Sequence, residues 1–264
     1  MENAKSALIS LYAEDAGLLL MLNIMIYSQK ILYAGKMYRF KINGQFEEIS
    51  KKISYLEKQG EIEKALNLSK KGLHLAEKSD NFLFMSEFLK DISICYRIKR
   101  ERKRSLQFIK KSLKIALKYN LDEKIGNAYG NIGILNMMEG GYSKSIRCHW
   151  KAIEYHKKTR DIKKIIPNLS FIGMCYLFKK EYKKSKIFLD NALMLSKNIT
   201  YKEGIYDSFY NLGLYYYETR RYDIAAKFLK KAIKLNKDDS YKLQQYNKLI
   251  GNINAILMGE KHGK

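Results

Sequence analysis

The stretch "FYNLGLYYYETRRYDIAAKFLKKAIKLN", residues 209–236, holds two helical patterns around a short turn, and it returns every forty residues. In its first half Phe209, Leu212, Gly213 and Tyr216 stand at i, i+3, i+4 and i+7, which is one face of a helix. After Arg220-Arg221, the residues Ala225, Leu229, Ala232 and Ile233 mark one face of a second helix. Forty residues earlier the same places hold Leu169, Ile172, Gly173 and Tyr176, then Ser185, Leu189, Ala192 and Leu193. Another step back gives Tyr129, Ile132 and Gly133, then Ser145, His149, Ala152 and Ile153. Two more steps reach Leu89, Ile92, Ser93 and Tyr96, then Ile49, Ile53 and Leu56. Self-similarity at such a period predicts stacked helix pairs, each burying its apolar face against the next.

Small residues mark where those helices must meet. Antiparallel helices approach closely only where side chains are small. The first helices place Ile53, Ser93, Gly133, Gly173 and Gly213 there. The second helices place Ala65, Ser105, Ser145, Ser185 and Ala225, and one turn or two further on Gly72, Ser112, Ala152, Ala192 and Ala232. Fourteen of these fifteen are Gly, Ala or Ser.

The pattern resembles the tetratricopeptide repeat family. Asn211-Leu212-Gly213, Tyr216, Tyr222, Ala225 and Ala232 stand at that family's spacing, and the resemblance covers residues 46–258. It departs from the family in period, forty instead of about 34, and in lacking the proline that usually closes the second helix. The extra residues predict longer second helices or longer connections. Forty-residue repeats of this kind occur in signalling proteins, including bacterial receptors for peptide pheromones. The resemblance implies an all-α superhelix, a solenoid of antiparallel helix pairs. Its expected parts are an N-terminal helical cap over 1–45, five repeats over 46–245, and a capping helix with tail over 246–264. Within 1–45, the apolar run from Gly17 to Tyr27 is too short to span a bilayer and reads as a buried helix. The leader Met1-Glu2-Asn3 carries no basic cluster, which speaks against a secretory signal.

In this family the first helices line a concave groove, and the resemblance assigns the ligand face by register. The peptide-binding set is Asn127, Asn131, Ile134, Met138, Phe171, Met174, Phe178, Tyr210, Asn211, Leu214 and Tyr217. Met and flat aromatic side chains suit adaptable contact with apolar segments. An Asn amide can pair with both the N–H and the C=O of an extended peptide. The apolar members serve equally well as packing between first helices; the two amides Asn131 and Asn211 favour the ligand. Acidic and basic groups on the same face nearly balance, with Glu47, Glu57, Glu87, Asp91, Asp207 and Glu218 against Lys51, Lys58, Lys90 and Arg97. The net charge of +23 therefore lies elsewhere. Chaperone-tail repeats clamp a carboxylate with Lys and Asn on successive first helices. Here Ile94 follows Lys90 where that clamp needs Asn.

"RIKRERKR", residues 97–104, packs six basic side chains into eight positions and falls on the turn between two helices. Lys99, Arg100, Arg102, Lys103, Arg104, Arg220 and Arg221 form a candidate basic rim. It reads either as a solvated edge or as a surface for an acidic partner. No RNA-binding motif accompanies it. Cys95, Cys148 and Cys175 are odd in number and share no metal-ligand spacing, the pattern of reduced thiols in a cytoplasmic protein. No Gly-rich phosphate loop, HExxH, CxxC or nucleophile elbow occurs. His149 and His156, seven apart near Cys148, read as packed or solvated helical residues and not as metal ligands. The expectation is a non-enzymatic scaffold, without cofactor, metal or membrane partner, that holds an extended, partly apolar peptide in signalling or regulation. Two alternatives stand beside it. One is a nucleic-acid-binding protein using the basic rim; the other is a peptide-pheromone receptor with output through the N-terminal helices.

Overall fold

The computed structural model describes residues 43–236 and 238–262. The run Gly17–Tyr27, and all but the last three residues of the expected N-terminal cap, lie outside the described residues. The chain divides between Glu48 and Ile49, and the architecture below is that of the second unit. Its helices are α1 (43–58, which enters the unit at Ile49), α2 (Ile62–Lys78), α3 (Phe82–Ile98), α4 (Arg102–Lys118), α5 (Asp122–Met138), α6 (Tyr142–Lys158), α7 (Ile162–Phe178), α8 (Tyr182–Asn198), α9 (Lys202–Glu218), α10 (Tyr222–Leu235) and α11 (Ser240–His262). The described residues contain no strand.

The period of forty comes from helix length. From α2 to α9 every helix has seventeen residues, and three-residue turns join them. The connections are therefore short, and they are built alike. The central residue of each is left-handed, at Gly60, Asp80, Arg100, Asn120, Gly140, Arg160, Lys180, Thr200 and Arg220. In the turn Lys99-Arg100-Glu101, Arg100 N–H donates to the Arg97 carbonyl (3.0 Å) and Glu101 N–H to the Tyr96 carbonyl (2.9 Å). Those two bonds form a Schellman motif, which satisfies the last carbonyls of a helix and turns the chain back. The same long bond recurs from Glu61 to Leu56 and from Arg221 to Tyr216.

All fifteen positions chosen for close approach are buried. Ser93 and Ser105 face each other across α3 and α4, each hydroxyl donating to the other's carbonyl at 2.9 and 2.8 Å. A methyl added at Gly173 would lie 2.8 Å from Leu189 Cδ2, and one at Gly213 would lie 2.9 Å from Leu229 Cγ. Successive helices pack along the chain, and among the described residues each repeat packs on its neighbours until the two ends of the unit come together. There Lys58 on α1 pairs with Glu203 on α9 at 2.5 Å, and Gln59 donates to the Asp238 carbonyl at 3.3 Å.

The last repeat departs from the expected boundary. α10 stops at Leu235 and α11 begins at Ser240, ahead of the 246 read from the repeat. Buried Asp239 is the reason: its carboxylate accepts the Lys242 N–H (2.9 Å), while its own N–H donates to Asn236 Oδ1 (3.0 Å). Asp239 thus caps α11 and starts it early.

Candidate functional site

A cavity of about 480 Å³ lies inside the curve of the first helices. α1 supplies Ser54, Glu57 and Lys58, and α3 supplies Ile94, Arg97 and Ile98. Ile134 comes from α5, Ile166, Pro167, Ser170 and Phe171 from α7, and Gly204, Asp207, Tyr210 and Asn211 from α9. Tyr201 precedes α9, and the far wall is α11 with Tyr241, Lys242, Gln245 and Tyr246, together with its cap Asp239. A second hollow of about 430 Å³ continues from it past Ile134 and Phe171 to Asn127, Asn131 and Asn168.

The cavity thus joins Ile134, Phe171, Tyr210 and Asn211 of the expected set, and its extension adds Asn127 and Asn131. Asn131 already donates its amide to the Asn127 carbonyl at 3.0 Å, which leaves its side-chain oxygen for other use. The remaining five lie elsewhere. Met174 is 6% exposed in a core cluster with Leu177, Leu189 and Leu212, and Leu214 packs against that cluster. Phe178 is 41% exposed and stacks on Tyr142 at 5.7 Å. Tyr217 meets Tyr222 edge-on and packs on Ala225, Leu229 and Ile253. Met138, half-buried, borders neither hollow.

These displacements share one cause. On α1 and α3 the lining residues lie in the last turns of the helix, whereas on α7 and α9 they lie in the first and middle turns. Each pair is rotated on its predecessor, so the cavity crosses the stack diagonally. Ile94 and Ile134 therefore face it, while Met174 and Leu214, at the same repeat position, turn into the core. α11 contributes a wall that the repeat pattern assigned to a cap alone.

Charged groups are held inside. Lys242 pairs with Asp207 (2.8 Å), which also accepts from Tyr246 OH (3.0 Å). The Lys58–Glu203 bridge raises the Lys58 pKa. Burial, with Asp91 nearby, pushes the Glu57 carboxyl up to about 7. On the neighbouring wall Glu87 accepts from Lys90 (2.5 Å) and Lys124 (2.7 Å), and Lys164 pairs with Glu123 (3.2 Å).

His149 and His156 are buried, and each keeps one ring nitrogen without a hydrogen-bond partner. His149 stacks on Phe171 (5.1 Å), its Nδ1 is 2.8 Å from Asn168 Oδ1, and burial lowers its pKa to about 4. It occupies the repeat position filled by Ile109, Leu189 and Leu229. Among the described residues no group of three or more His, Cys, Asp or Glu could hold a metal ion. No described helix is long and apolar enough to cross a membrane.

The positive charge sits outside. The second helices α2, α4, α6, α8 and α10 carry 24 Lys and Arg against five Asp and Glu. The first helices α3, α5, α7 and α9 carry six against seven. All seven basic residues of α4 are exposed. Within the expected rim, Lys99 pairs with Glu63 and Glu101, Arg104 pairs with Glu101, and Arg100, Arg102, Lys103, Arg220 and Arg221 are exposed.

Paired seventeen-residue helices, small buried seams and a groove along the first helices describe one repeat architecture, and the sequence of the final repeat agrees. Residues 206–239 match the tetratricopeptide repeat family. The unit Ile49–Lys264 has the tetratricopeptide-repeat fold, as its solved neighbours also show. A Rap protein complexed with competence and sporulation factor superposes with a TM-score of 0.65 at 16% identity, covering 81% of this chain and 64% of its own. The Rap conjugation gene regulator of plasmid pLS20, in complex with the Phr* peptide, gives 0.59 at 17% identity, covering 67% and 50%. BtubC from P. vanneervenii gives 0.57 at 16% identity, covering 74% and 80%. No curated protein matches the chain by sequence.

Proposed function

We propose that this protein is a non-enzymatic scaffold that holds a short, partly apolar peptide segment inside its tetratricopeptide groove, in a signalling or regulatory role in the cytoplasm. The observation that carries this reading is the cavity of about 480 Å³, with isoleucine, phenylalanine and tyrosine walls and the amide of Asn211. Pockets of this size, mostly apolar with a few polar anchors, are typical ligand sites. The Rap proteins of similar fold are complexed with competence and sporulation factor and with the Phr* peptide, which supports a peptide as the occupant. It also supports the peptide-pheromone receptor as the narrower form of the same reading.

The test is peptide capture from the native cell, followed by calorimetry with the captured segment. Asn211→Ala and Phe171→Ala should each weaken binding by about 1–3 kcal/mol, through lost amide pairing and lost apolar contact. Lys230→Ala, on the exposed side of α10, should leave it unchanged. Equal losses from both sides would refute the groove as the site. The charge separation favours one further partner class. An outer surface this rich in unopposed lysine suits a polyanion, and nucleic acid bound there would dissociate steeply with added salt.

A further inference from the structure

Three cations line the cavity, and two of them are already committed, Lys58 to Glu203 and Lys242 to Asp207. Arg97 differs. Its Nε is shut off from solvent without a hydrogen-bond partner, and among the described residues no carboxylate stands within 4.0 Å of its guanidinium. Glu57 shares that end of the cavity and acts on Arg97 from a distance, but among the described residues it stays outside ion-pair range; the Cys95 thiol lies 4.0 Å from its carboxylate. A guanidinium is always charged and offers a planar fork of donors matched to a carboxylate. Arg97 is half-buried, and desolvating part of its guanidinium without an ion-pair contact is costly; an anion in contact with it offsets that cost. The same cavity has apolar lining from Ile94, Ile134 and Phe171.

We propose that Arg97 is the anchor of a carboxylate-binding subsite, which holds the ionised acid group of the ligand while an apolar side chain lies against Ile94, Ile134 and Phe171. The inference rests on the groove being a ligand site and adds the chemistry that the ligand must bring. A monoanion fits better than a phosphate, because the other two cations are neutralised by their own carboxylates. The carboxylate can come from a peptide C-terminus or from an Asp or Glu side chain, and the experiment separates these.

Five probes are offered to the full chain and read by affinity selection with mass spectrometry. They are a pentapeptide pool randomised without Asp or Glu and bearing a free C-terminal acid, the same pool amidated, an amidated pool with one internal Asp, N-acetylphenylalanine and its amide. Wild type should retain acids over amides by about tenfold or more, the size of a charge-assisted hydrogen bond. Arg97→Met should bring that ratio close to one, and Arg97→Lys should restore part of it, with helicity checked by circular dichroism. Selective retention of the terminal-acid pool identifies the C-terminus as the source, and retention of the Asp pool identifies a side chain. If N-acetylphenylalanine binds through Arg97 while no pentapeptide is retained, the subsite stands and the peptide reading falls. If peptides bind equally as acids and amides, and Arg97→Met changes nothing, the subsite is overturned and the peptide reading survives. Retention of no probe overturns both.

Discussion

The buried histidine on α6 gives a stability prediction that can be worked from its surroundings. His149 fills the notch opposite Gly133, where an added methyl would lie 2.7 Å from its Nε2. Equivalent notches at Gly173 on α7 and Gly213 on α9 are filled by Leu189 of α8 and Leu229 of α10. Burial holds its pKa at about 4, against an ordinary 6.5. The unfolded chain therefore takes up a proton as pH falls below 6.5, while the folded chain does not. Stability from this residue is complete above 6.5 and is lost as pH falls from 6.5 towards 4. Each pH unit in that window is worth about 1.4 kcal/mol, so the loss at about pH 5 is roughly 2 kcal/mol. The perturbation is His149→Leu, and the assay is urea denaturation followed by circular dichroism at about pH 7.5 and about pH 5. The variant leaves Asn168 Oδ1 without its ring partner and removes the stack on Phe171, an offset of about 1–2 kcal/mol that is alike at both pH values. Glu57 titrates with the opposite sign: its raised pKa removes stability as pH climbs from 4.5 to about 7. Both proteins share that contribution, so it cancels in the difference. The variant should gain about 2 kcal/mol on wild type between the two conditions. An unchanged difference would refute a neutral, buried imidazole at this position.

Thr200 adopts a left-handed conformation with φ of 50° at the centre of its turn, where a β-branched residue is strained. Thr200→Gly should raise stability by about 0.5–1 kcal/mol once the greater freedom of the unfolded glycine is counted, and a lower melting temperature would contradict the turn geometry. Gly173→Leu should cost at least roughly 1–3 kcal/mol by overpacking, because its first atom would lie 2.8 Å from Leu189 Cδ2. Gly251→Ala, with nothing within 4 Å, should gain about 1 kcal/mol, and equal effects at the two glycines would disprove the helix seam. Reversing charge together at Lys99, Arg100, Arg102 and Lys103 should leave circular dichroism unchanged, since all four are exposed. A filter-binding assay should then show only weak nucleic-acid retention that physiological salt removes from both proteins; tight retention lost on reversal would make the rim the functional surface.

The sequence alone determined the repeat. Apolar spacing and small residues depend on contacts within a helix pair and with its nearest neighbours, so they recur at forty and can be read without coordinates. The turn in "RIKRERKR" was legible for the same reason, because a Schellman bond spans only six residues. The emptiness of the groove of net charge was also visible, and the balance of acids and bases on the first helices left the second helices to carry the excess. Tertiary structure decided which residues face the ligand. A small rotation from pair to pair accumulates along the stack, so identical repeat positions diverge: Ile134 meets the cavity and Met174 meets Leu189 and Leu212. The same accumulation brings Lys58 to Glu203 and α11 to the far wall. Periodicity specifies each step, but the sum of many steps depends on packing angles that no single repeat encodes.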